Sequence, residues 1–284
     1  MPSSLVVEHS ARRASPGHAG GMSFFPSLPR LVVSAAALGL VVVGGAFWGL
    51  WPLARLLWPF PLTSGLFLAA ISFSIAAPAL LIALRGDFGA VRAGGVSLGT
   101  IFALFSLLAI GMSVTGRPEL LPYAAVALIA VVGNVLMFRW GSRFPLEDER
   151  PMPTPVLWFF ALSAILLIVP GVAALLGVDV MAFPQTAENL RWYGAIYAGA
   201  GAFFVWALLQ PVWSYARLVL LAFLVYDLVV VSIFPGMLPR LLADPAAVRL
   251  STWIYWGAVF GSTVVAGLYL FVLPSWRLWR PHQR

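Results

Sequence analysis

Two ionisable side chains, Arg191 and Asp227, lie in or beside strongly apolar sequence, and with Tyr193 and Tyr197 they are where chemistry could reside. Asp227 stands seven residues before Phe234, the end of an apolar run. At 1.5 Å of rise per residue that is about 10 Å below the end of a membrane-spanning helix, close to the bilayer midplane. A carboxyl group there costs roughly 2.5–3.5 kcal/mol to insert, which the surrounding Leu, Ile, Val and Phe offset a few tenths at a time. The helix still inserts, but the acid calls for a partner or a proton. Its own helix supplies none, because the positions three and four away are Phe223, Leu224, Val230 and Val231.

Candidate partners come from other helices. Arg191 heads a stripe of small residues at helical spacing, Gly194, Ala195, Ala198, Gly199 and Ala202, which lets another helix approach closely. Arg191 itself sits at the end of its span, so a direct pair with Asp227 needs nearly the whole reach of both side chains. Tyr193, or Tyr197 one turn deeper, could instead hydrogen-bond a protonated Asp227, and Asn134 and Thr100 are further candidates. On the plainer reading Asp227 is neutral, bonded to a hydroxyl, and locks helix packing. On the functional reading it is a proton-binding group in a cavity.

The elements that position these groups follow from composition. With 61% hydrophobic and 10% charged residues and a mean hydropathy of +0.95, the 284-residue chain has too little polar side chain to cover a water-soluble globule. A lipid bilayer is the implied partner. The formal charge of +7 is spread thinly between apolar blocks and forms no patch for nucleic acid. The 17 basic residues are all Arg, so no lysine Schiff base can form and a retinal protein is excluded. There is no Cys, which removes disulfides, thiolate nucleophiles and cysteine-held metals. His9, His18 and His282 lie in polar tails, away from any intramembrane haem or metal.

Residues 1–29 have no apolar period and read as a disordered cytoplasmic tail, in which Met22 is an alternative start to Met1. Eight apolar blocks follow, at roughly 31–52, 64–84, 95–115, 121–138, 156–177, 191–212, 216–235 and 251–273, each long enough to span. Residues 139–155, with Glu147, Asp148 and Glu149 among prolines and arginines, read as a solvated cytoplasmic linker between halves, and 274–284 as a second tail. Counted on alternate sides, twelve arginines fall with the termini and five opposite, which predicts cytoplasmic termini in a bacterial inner membrane. Most tryptophans fall near span ends, whereas Trp206 and Trp256 lie deeper as packing residues.

The chain also repeats itself. Phe60-Pro61-Leu62-Thr63 recurs as Phe183-Pro184-Gln185-Thr186, and Phe88-Gly89-Ala90-Val91-Arg92 as Trp213-Ser214-Tyr215-Ala216-Arg217, at nearly constant offset. The expected fold is all-α: a polytopic bundle of eight spans in two parallel four-helix repeats, 30–138 and 156–273. The offset carries Arg191 and Asp227 onto Leu68 and Phe102, so the first copy has neither charge. Arg191-Trp192-Tyr193-Gly194 at the head of the sixth span resembles the opening of the second span in small uncharacterised bacterial four-span membrane proteins. That resemblance covers one half, and it implies a membrane location without an activity.

Other features are structural. Gly45 and Gly49, and Gly257 and Gly261, have the spacing of close helix contacts, expected here as internal packing. Pro78 and Pro170 predict kinks. The twin Arg12-Arg13 lacks the flanks of an export signal, and no phosphate loop, activated Ser or paired intramembrane carboxylates occur. The sequence therefore predicts a non-enzymatic membrane protein without cofactors, an accessory or scaffold component with a membrane-protein partner or second copy as its contact. The alternative is a small transporter or proton-coupled carrier using Asp227.

Overall fold

In a bilayer every backbone N–H and C=O must be satisfied within the chain, and apolar blocks of this length meet that demand as helices. The computed structural model describes residues 27–49, 62–183, 185–232, 234–273 and 275–276. The tail readings of residues 1–26 and 277–284, the start at Met1 or Met22, the Arg12-Arg13 pair and the Phe60-Pro61 half of the repeat motif lie outside those residues. The helices are α1 (Leu28–Gly49), α2 (Leu62–Arg85), α3 (Val91–Val114), α4 (Leu121–Gly141), α5 (Thr154–Leu175), α6 (Ala187–Leu209), α7 (Trp213–Val231), α8 (Phe234–Ala243) and α9 (Leu250–Gly267), the last continued by a π turn over Leu268–Val272. All but α8 are long and apolar enough to cross a membrane, which gives eight candidate spans.

Local chemistry sets several boundaries. Gly86 and Gly177, with φ of 77° and 86°, end α2 and α5 in the left-handed conformation that only glycine adopts without strain. Thr186 caps α6, its Oγ1 accepting the Asn189 N–H at 3.3 Å. Pro78 and Pro170 both lie inside continuous helices. The short α8, in the connection between the seventh and eighth spans, sorts its residues by face. Leu241 is buried in a cluster with Val230, Trp256 and Val259, and Leu242 points outward.

The principal helix contacts are α1 with α2, α3 with α4, α5 with α6, α3 with α6, α2 with α7, and α7 with α9. The stripe on α6 works as its spacing predicts. A Cβ added to Gly194 would stand 2.7 Å from the Gly171 carbonyl oxygen of α5, and one on Gly199 would strike Ile101 of α3. Ser97 Oγ donates to the Gly199 carbonyl at 3.0 Å across the same α3–α6 contact. Backbones that touch this closely gain dispersion without side-chain entropy, the working basis of helix association in lipid. By contrast, nothing lies within 4 Å of a Cβ built on Gly45, Gly49, Gly257 or Gly261. The internal packing expected there is corrected: spacing identifies a small-residue face, but the neighbours that could use it go elsewhere.

Along the central stretch of α7, 50% of the residues are buried, against 11% for α1, so α7 runs through the protein interior while α1 lies at the periphery. Outward positions of α1, α4 and α5, among them Val42, Ile129 and Leu162, are exposed and apolar, as a lipid-facing surface requires.

Candidate functional site

Asp227 occupies the inner face of α7 and is 1% exposed. Its partners are Ser262 and Thr263 on α9. Ser262 Oγ lies 2.6 Å and Thr263 Oγ1 3.2 Å from Asp227 Oδ2. Ser262 Oγ is also 2.7 Å from the Ala258 carbonyl and 3.0 Å from that of Val259, and Thr263 Oγ1 is 2.9 Å from the latter. Each hydroxyl has one proton to give. If the carboxyl carries a proton it donates to Ser262 Oγ, and both hydroxyls bond back to their own helix. If it is ionised, both hydroxyls turn to the carboxylate. The two hydroxyls can serve Oδ2 in either state without moving a helix.

The residues singled out with Asp227 are placed differently. Arg191 is exposed, and among the described residues no ion pair joins it to Asp227. Its neighbour Trp192 packs edge-on to Phe105, ring centres 5.1 Å apart. Thr100 Oγ1 and Asn134 Nδ2 donate to carbonyls one turn back in their own helices, at 2.8 Å each. Tyr193 and Tyr197 come together, not against the acid but around Phe67 of α2, at 4.9 and 6.1 Å between ring centres. Tyr226, next to Asp227, stands edge-on to the same Phe67, and its hydroxyl meets that of Tyr255 on α9 at 2.9 Å. Phe67, Tyr193, Tyr197 and Tyr255 border a cavity of about 80 Å³ at the end of the bundle that carries α8 and the 178–186 connection.

Sequence reasoning missed Ser262 and Thr263. The available signal was two consecutive hydroxyl residues in the last span, at a depth comparable with Asp227. It also missed the polar centre at the opposite end. There, Arg217 of α7, 1% exposed, places Nη2 2.6 Å from Asp87 Oδ2 and also binds Glu147. Arg85 stands 3.2 Å from Glu147, and Asp87 Oδ1 accepts the Glu147 N–H at 3.0 Å. Two arginines thus face two carboxylates with no net charge, the condition under which burial of ions is tolerated.

The linker is therefore only partly solvated: Glu149 is exposed as expected, whereas Asp148 is buried and Glu147 half-buried, and for those two the expectation is corrected. Its backbone exchanges hydrogen bonds with the start of α7: Ser214 N–H to the Asp148 carbonyl at 3.0 Å, Trp213 N–H to Arg150 at 2.8 Å and Met152 N–H to Pro211 at 2.7 Å. It crosses directly over Gly89, where a Cβ would come within 2.7 Å of the Pro145 carbonyl. Arg150 grips both oxygens of Asp148, donates to the Ser275 carbonyl at 2.9 Å and lies over the Trp276 ring. Burial pushes the Asp148 carboxyl up, but the Arg150 hydrogen bonds and charge outweigh it and hold the group below the ordinary carboxylate range. Sequence shows the charges here but not that turns at Gly86 and Gly89 bring their partners within reach.

Among the described residues no group of His, Asp and Glu is placed to hold a metal. No protein-family model matches the chain, and neither do any curated proteins or solved structures. What is established is an all-helical chain with eight helices fit to cross a membrane, whose apolar surface implies a lipid surrounding.

Proposed function

We propose that this protein is a non-enzymatic accessory or scaffold component of a bacterial cytoplasmic membrane, with both termini cytoplasmic. The observation that carries the reading is Asp227 itself. The acid is sealed between α7 and α9, supplied with hydroxyl partners from the adjoining span, and absent from the lining of the neighbouring cavity. A carrier needs a wet path to its titrating group, whereas a buried acid whose Oδ2 is held by two hydroxyls of the adjoining span fixes helix register. The linker centre serves the same end, tying the start of α7 to the α2–α3 turn.

Two tandem four-span units, residues 30–138 and 156–273, are part of this proposal. In support, exchanging α1 with α5, α2 with α6, α3 with α7 and α4 with α9 carries each principal helix contact onto another. That is the pattern expected of parallel duplicates related by an axis along the membrane normal.

The test is purification of the full chain from its native membrane in mild detergent, together with flux measurements in vesicles. The scaffold reading expects a copurifying membrane protein in fixed ratio and no proton-coupled flux. Recovery of a lone, monodisperse chain, with a proton flux that disappears in Asp227→Asn, would replace it with the carrier. Cys-free as it stands, the chain allows single-Cys labelling from either side, and protection of Ser142→Cys from the cytoplasmic side alone would reverse the proposed orientation.

A further inference from the structure

The cavity at the α8 end has walls that a packing defect does not explain. Six of the residues that line it are aromatic: Phe67 from α2, Tyr193 and Tyr197 from α6, Phe183 from the connection before α6, and Tyr255 and Trp256 from α9. Four separate segments thus turn rings toward one space of about 80 Å³, enough for several water-sized groups. Phe67, Tyr193, Tyr197 and Tyr255 are each only half-buried, so the space is open to its surroundings.

The walls are held in place. The connection that carries Phe183 is pinned to the head of α9: Ser251 Oγ donates to the Met181 carbonyl at 2.9 Å, Thr252 Oγ1 bonds the Ala182 carbonyl, and Arg249 pairs with Asp179 at 2.8 Å. The Tyr226–Tyr255 hydroxyl contact joins α7 to α9 below it. The site is built before any ligand arrives.

Chemistry narrows the occupant. Among the described residues none that line it is charged, so an anion finds no countercharge there. A lipid tail gains little on leaving lipid for an equally apolar pocket. Aromatic rings that line a space from several sides can attract a cation, most strongly when the cation is weakly hydrated. The countercharge lies close by: Asp227 is one helical turn, about 5 Å, from Val230 of the lining.

We propose that this cavity is a binding site for a small alkylated ammonium cation, held by the ring faces and neutralised across a short distance by Asp227. The site goes beyond the scaffold reading. A ligand held here braces α2, α6, α7 and α9 against one another, and no transport is implied.

The experiment uses the full chain in a maltoside detergent, free of phosphocholine, at constant ionic strength. Calorimetric titration with tetramethylammonium and choline is compared with 3,3-dimethylbutan-1-ol, the neutral isostere of choline. Saturable binding of both cations, at least about tenfold tighter than the neutral isostere, is expected, since tenfold corresponds to about 1.4 kcal/mol. Tyr255→Phe keeps the ring and retains binding, whereas Tyr197→Leu loses at least about tenfold. Asp227→Asn weakens the cations and leaves the neutral isostere unchanged. Equal affinity for the neutral isostere would reassign the cavity to apolar ligands, and absence of saturable cation binding to the unaltered protein would overturn the proposal outright. Those comparisons on the unaltered chain decide the matter even where a variant fails to fold.

Discussion

Arg217 and Asp87, 130 positions apart in the chain, meet through a 2.6 Å ion pair in which both side chains are withdrawn from solvent. Removing Arg217 leaves Asp87 buried and two carboxylates facing Arg85 alone, which costs about 3–5 kcal/mol. Arg217→Gln should therefore destabilise far more than Asp87→Asn combined with Arg217→Gln, where both charges go together. Thermal unfolding of the four species in detergent, read as a double-mutant cycle, checks this; additive effects would mean that the two side chains are not coupled.

The same region makes a prediction in pH. Asp148 is held below the ordinary carboxylate range, so its stabilisation is fully present above the unfolded value near 4 and is lost as pH falls through the lower folded value. Arg150, raised by the hydrogen bonds it donates to Asp148, titrates too far above neutrality to matter. Amide hydrogen exchange over residues 146–152, corrected for intrinsic rates, should stay slow from neutrality down to about pH 4 and quicken below it. In Arg150→Gln this quickening on the acid side should shrink or vanish, and an undiminished change would mean that this pair does not dock the linker.

Asp227 offers a different contrast. An Asn amide can donate to Ser262 Oγ as a protonated acid would, so Asp227→Asn should unfold within about 1 kcal/mol of the parent, whereas Asp227→Leu, which removes the hydrogen bonds to Ser262 and Thr263 across the helix pair, should lose about 1–3 kcal/mol. Ser262→Ala with Thr263→Val should cost as much again as either alone or more, because the acid is then left without a partner. Equal losses for Asn and Leu would sink the assignment of hydrogen bonding as the role of this residue.

Close backbone packing on α6 sets the fourth expectation. Gly194→Leu and Gly199→Leu should prevent assembly, since their added atoms meet backbone on α5 and the side chain and backbone of Ile101 on α3. Gly257→Ala and Gly261→Ala, with open space around them, should change stability by no more than about 0.5 kcal/mol, the range of surface substitutions. Size-exclusion profiles of the four variants would show whether tolerance follows the neighbours or merely the residue type.

Much of this fold was written in the chain at the level of one-dimensional pattern. Length and hydropathy placed eight spans within a few residues of the helices observed, because each span answers to bilayer thickness alone and not to its neighbours. That its own helix offers Asp227 no partner was legible as well, since the spacing along one helix decides it. The stripe on α6 could be read too, since one helix carries the whole of it.

What the sequence could not determine is which surfaces meet. Hydroxyls are common in spans, and nothing in one dimension singles out Ser262 and Thr263 over Tyr193 or Asn134; the α7–α9 contact chooses them. The Glu147-Asp148 segment reads as solvated because it is acidic, and only the folded structure brings it beneath Arg217 and over Gly89, where hydrogen bonds replace water. Insertion depth is a property of each helix against the lipid, whereas partner choice depends on packing between segments more than a hundred residues apart, so the first is written locally and the second is decided only when the bundle closes.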